Sequence, residues 1–202
     1  IARTVNISIR GASGEVLVDT QNEITRIFKS GSSFLNVTFN PTINFDSTSN
    51  STNLIVVREF TGDPATAIVK EGHGSPANTG ILGVTPARGN NSYVNRNHIS
   101  AVTANLKGKG ASIGTMIGRV GAHEIIQHRL LGIPQEGTIR DITSSHVTPK
   151  ELHSLITSRF NLNPLVREHF IPMLASSLSA TYDSLHPDLR SSRCSFMSRL
   201  SH

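Results

Sequence analysis

The stretch SIGTMIGRVGAHEIIQHRLL, residues 112–131, predicts the longest helix of the chain. Its apolar residues Ile113, Met116, Ile117, Val120, Ile125 and Leu130 recur at three- and four-residue steps, the spacing that gathers them on one helical face. Glycines at 108–114 lead into it, and Gly132 and Pro134 end it. His123, Glu124 and His128 stand in its second half. The step from His123 to His128 turns an ideal helix through about 500°, which leaves the two rings about 140° apart. A one-residue π-bulge absorbs the extra residue and restores a shared face, and such bulges cluster at functional sites.

Upstream, residues 3–10 alternate over a β-branched run and predict a strand. Gly11 to Gly14 is a turn, and Val16, Val18, Ile24, Ile27 and Phe28 predict a helix over 15–30 that Gly31 stops. Leu35, Val37 and Phe39 alternate as a second strand ending at Pro41, followed by the polar loop FDSTSNSTN. LIVV at 54–57 is a short continuous apolar run, the pattern of an interior strand buried on both faces. Residues 61–79 read as loop, and 81–84, 92–94 and 99–102 as three short strands. Downstream, Thr148-Pro-Lys-Glu carries a capping box and opens a helix running to about Phe160. The expected organisation is one domain over 1–163, then a helix at 164–180 and a weakly ordered tail at 181–202.

The chain of 202 residues is long enough for one domain with its own core. Aromatics make up only 5% and Trp is absent, which argues against a stacking platform for bases. The charge of +5 is scattered, apart from Lys107/Lys109 and Arg190/Arg193/Arg199, and reads as a solvated basic surface, so no nucleic-acid partner is expected. The single Cys194 excludes an intrachain disulfide and a Cys-rich zinc module. No apolar run reaches the roughly 18 residues of a membrane span. The opening IARTVNISIRG lacks both an initiator Met and a signal-like segment. The expectation is a secreted protein whose signal peptide has been removed, or a trimmed chain. The sequons at Asn6, Asn36, Asn50 and Asn90 are compatible with secretion.

The chemistry concentrates at His123-Glu124-Ile125-Ile126-Gln127-His128. Neutral imidazoles suit zinc, and a carboxylate beside the first of them is placed to act as general base. HEIIQH resembles the HExxxH motif of the dipeptidyl peptidase III family, in which both His bind zinc and the Glu is the base; the likeness covers these six residues. A broader resemblance, over about residues 3–160, is to the metzincin-type metalloproteases. GILGVTPARGNNSYVN at 80–95 is similar to the segment of that clan where an edge strand meets the substrate, and HEIIQHRLLGIPQEG is similar to its HExxHxxGxxH helix. The match departs from the pattern in the inserted residue before His128, in Gln135 standing where the third ligand falls, and in a missing Met-turn methionine in DITSSHVTP.

The resemblance implies an α+β fold, a mixed twisted sheet with a buried active-site helix and a C-terminal helix. It implies a zinc-dependent peptidase acting on a peptide or protein substrate, with Glu124 catalytic and Zn2+ held by His123, His128 and Glu136. Asp141 and His146 are the alternatives for the third ligand. A cleft is expected between His123 and a sheet edge at 80–86 or 91–95, to which an extended peptide adds by main-chain hydrogen bonds. Two rival readings stand beside it: a degenerate relative that binds a partner without cleaving it, and a basic module for an acidic polymer. Ser144-Ser145-His146 has no nucleophile elbow, and GKGASIG at 108–114 lacks the ending of a phosphate loop.

Overall fold

The computed structural model describes residues 4–30, 33–34, 37–38, 42–46, 51–60, 81–86, 90–126, 141–142, 144, 146–161 and 197–200. In chain order these form β1 (Thr4–Arg10), α1 (Gly14–Ser30), β2 (Ser33–Phe34), β3 (Val37–Thr38), β4 (Thr42–Asn44), β5 (Thr52–Val57), β6 (Ile81–Val84), β7 (Asn91–Asn95), α2 (Arg96–Thr103), α3 (Ile113–His123), β8 (His146–Val147), α4 (Pro149–His153), a 3-10 turn (Ser158–Phe160) and β9 (Met197–Leu200). The main sheet has the order β4-β1-β5-β7-β6-β9-β8. The run β4-β1-β5-β7 is parallel throughout. β6 is antiparallel to β7 and to β9, and β9 is parallel to β8. The architecture is therefore mixed α/β, with a mostly parallel sheet and helices packed on it.

β5 is interior, flanked by β1 and β7. Leu54 and Val56 are buried, whereas Ile55 and Val57 are half-buried, so the LIVV run is covered more fully on one face than on the other. Helix α3 begins at Ser112, whose side chain accepts from the Thr115 amide at 3.1 Å and donates to Asp19 at 2.6 Å. α3 packs against α1 almost backbone to backbone. A Cβ on Gly114 would stand 2.5 Å from the Val16 carbonyl oxygen, and one on Gly118 would stand 3.0 Å from that of Thr20. Thr20 fills the contact by donating to the Gly114 carbonyl at 3.0 Å. On its other side α3 meets the sheet, where Gly121 faces Leu54 of β5.

Four expectations change. Residues 99–102 lie in a helix, α2, because Asn95 caps it by accepting from the His98 amide, and Ile99 and Thr103 are buried one turn apart. In place of the single strand expected around Val37, Val37–Thr38 pairs antiparallel with Ser33–Phe34, while Leu35 and Phe39 lie outside the described residues. A period of two does not distinguish one strand from two short ones. The helix opened by Thr148 carries its capping box but ends at His153, since the Arg119 guanidinium takes the Leu152 and Ser154 carbonyls at 2.6 and 2.8 Å. Met197–Leu200, expected in a weakly ordered tail, is a strand of the main sheet. The expected helix at 164–180 and loop at 61–79 lie outside the described residues.

Candidate active site

α3 delivers His123 to the end of its α-helical winding, and 124–126 continue it as π-helix. Both His123 and Glu124 are buried. His123 Nδ1 lies 2.6 Å from the Ile142 carbonyl oxygen. A carbonyl can only accept, so Nδ1 carries the proton, and the neutral ring keeps its lone pair on Nε2. Burial lowers the His123 pKa to about 4 against the opposing pull of the Ile142 carbonyl, which fixes the ring as neutral at pH 7. Arg159 lowers it further, while Asp141 raises it, so both charges act on the ring.

Glu124 is held from the sheet side. Thr85, just beyond β6, donates its hydroxyl to Glu124 Oε2 at 2.8 Å, and Ser92 on β7 lies 2.9 Å from the same hydroxyl. Thr85 and Ser92 are themselves buried. Gly83 makes room for the carboxylate, because a Cβ there would sit 2.8 Å from Glu124 Oε1 and 2.7 Å from Val120. Any larger residue at this position of β6 pushes the strand off the helix or the carboxylate out of its bond with Thr85.

The floor beneath His123 is an ion network. Arg119 is buried and pairs with Glu23 of α1 at 3.0 Å, while its guanidinium stacks 4.5 Å above the Phe160 ring. Glu23 also receives Arg26 at 2.8 Å. Burial alone raises the Glu23 pKa, but the hydrogen bonds from Arg26 and Arg119 outweigh it and hold the carboxyl below its ordinary value. Arg119, Val120, His123, Ile142, Arg159 and Phe160 line a shallow cleft. The network ties α1, α3 and the 150–160 segment together around that cleft.

Of the residues singled out in the sequence, Glu124 meets β6 through Gly83 and Thr85, whereas His123 faces Ile142 and a cleft that no described residue of β6 or β7 lines; His128 and Glu136 lie outside the described residues. Asp141 is buried beside Ile142, whose carbonyl holds His123, and Arg159 donates to the Asp141 carbonyl. His146 is exposed on β8, and its carbonyl accepts from Arg159 at 2.7 Å. Among the described residues no three His, Cys, Asp or Glu side chains group as a metal set. Gly83, Thr85 and Ser92 were not legible in the sequence, because nothing but the pairing of β6 with β7 and their contact with α3 brings them to Glu124. No protein-family model matches the chain, and no curated protein matches it by sequence. Among the described residues no helix is long and apolar enough to cross a membrane.

Proposed function

We propose that the chain is a secreted, zinc-dependent peptidase of metzincin-like architecture with Glu124 as general base. The observation that carries this reading is the change of winding directly after His123. The five-residue spacing to His128 needs one extra backbone residue in the turn between them, and the π-helical segment at 124–126 begins where that residue is required. The state of His123 also fits a metal ligand. It is neutral and presents Nδ1–H to a backbone carbonyl, the partner that fixes the ring of a ligating histidine. The expected sheet edge at 80–86 or 91–95 is not open: β7 lies between β5 and β6, and β6 lies between β7 and β9, so neither is an edge strand.

In this reading His123, His128 and Glu136 hold the ion, with Asp141 or His146 as the alternative third donor. Bound zinc supplies Lewis acidity that acidifies water and polarises a peptide carbonyl. Glu124 takes a proton from the attacking water at its carboxylate and returns it to the leaving amine. The Thr85 hydroxyl donates to Oε2, which fixes the rotamer of the carboxylate. Ile142 keeps the imidazole in one tautomer. The complete burial of Glu124 favours the rival reading, a relative that keeps the fold without cleaving.

Metal analysis and cleavage of a peptide library separate the two. The purified chain is expected to hold one zinc and to cleave. Glu124→Gln keeps the zinc and loses at least about a hundredfold in rate, the low end of a general base's contribution. His123→Ala loses both, since too few donors remain. No cleavage even with added zinc, by the wild-type chain and by one whose β9 is barred from pairing with β6, hands the case to the non-cleaving relative.

A further inference from the structure

The side of β6 away from β7 is not open. Met197–Leu200 pairs along it antiparallel, with Ile81 opposite Arg199, Gly83 opposite Ser198 and Val84 opposite Met197. The pairing carries an irregularity between Ile81 and Gly83, next to the glycine that faces Glu124. All four residues of β6 are buried, Thr85 is 2% exposed and Glu124 is 0% exposed. A peptide adding to this edge by main-chain hydrogen bonds needs the same donors and acceptors that β9 uses, and one edge accepts one strand. The buried carboxylate that would do the chemistry lies against the same strand, at Gly83 and Thr85.

We infer that β9 is an intramolecular occupant of the peptide-docking edge of β6, so that the chain holds its own site closed until β9 is displaced. The displacing partner is an extended peptide, recognised chiefly through its backbone. β9 is a short strand joined to a two-residue partner, β8, so relatively few hydrogen bonds hold it. That regulation of cleavage follows rests on the peptidase reading; the occupancy of the edge does not.

The test uses the full chain with Met197→Pro and Ser198→Pro together, which removes two amide donors from β9 and bars it from the ladder. The probe is a fluorescent synthetic peptide with the sequence of residues 195–202, read by anisotropy, alongside hydrogen exchange of the β6 amides. The variant is expected to bind the peptide at least about tenfold more tightly than wild type, because a tethered competitor acts at an effective concentration near millimolar. Its β6 amides exchange faster, and added peptide restores their protection. In wild type, excess peptide speeds exchange at 197–200 by displacing β9, a measurement that needs no variant to fold. Equal peptide affinity in the two chains, or exchange at 197–200 that excess peptide leaves unchanged, overturns the inference. Cleavage of a quenched peptide library is followed in parallel. Tighter binding in the variant with no cleavage by either chain sinks the peptidase reading and leaves the edge occupancy standing.

Discussion

Thr85 reaches Glu124 across 39 positions of sequence, and its hydroxyl is a donor to Oε2 inside the protein. Replacing it by Val keeps the shape and withdraws the donor. The buried carboxylate oxygen then loses a hydrogen bond it cannot replace from water, which costs about 1–3 kcal/mol. Thr85→Val is therefore expected to lower the urea unfolding midpoint, and Thr85→Ser, which keeps the hydroxyl, to restore most of it. Equal midpoints for Val and wild type would show that Thr85 contributes nothing to holding Glu124. His123 and Glu124 stood out in the sequence because a short motif carries them on one helix. Thr85 and Gly83 did not, because a threonine and a glycine at a strand end have no pattern of their own until a helix lies on them.

Between elements, the contact of α1 with α3 depends on Gly114 and Gly118, four residues apart and facing the same neighbour. A methyl group at Gly118 would meet Glu23 Cβ at 2.9 Å and the Thr20 carbonyl at 3.0 Å. Gly118→Ala improves helix propensity yet has to push two buried helices apart. Overpacking of this kind costs about 1–3 kcal/mol, and it disturbs Glu23 at the base of the cleft. The expected outcome is a less stable chain in chemical denaturation, whereas a more stable one would mean that the helices separate freely. At this scale the periodic elements were legible: α1, the start of α3, β1 and the interior place of β5 follow from apolar spacing and caps. Helix α2 was not, since ISAV at 99–102 begins and ends on the β-branched Ile99 and Val102, and the deciding signal is the Asn95 cap placed ahead of it. The early end of α4 was hidden as well, because the Arg119 side chain that ends it comes from another helix.

For the whole molecule, the burial of a neutral imidazole links stability to pH. In the unfolded chain His123 titrates near its ordinary 6.5, and in the fold near 4. Between those values the unfolded state binds more protons, so stability falls as pH falls through this window, and the full contribution is present above it. The total is on the order of 3 kcal/mol for a fully buried ring. Urea midpoints of the metal-free chain at pH 7 and pH 4 are expected to show a fall that is smaller in His123→Gln, which has no proton to gain; parallel falls in the two chains would refute the assignment. The sheet order itself has a temporal consequence. β6 and β7 are close neighbours in sequence, whereas β9 lies far downstream of them. At about 5–20 residues per second, translation leaves an interval of several seconds in which β6 exists and its covering strand does not. During that interval a nascent chain exposes a bare backbone ladder. A chaperone that shields strand edges would therefore find its substrate in the growing polypeptide rather than in the finished protein.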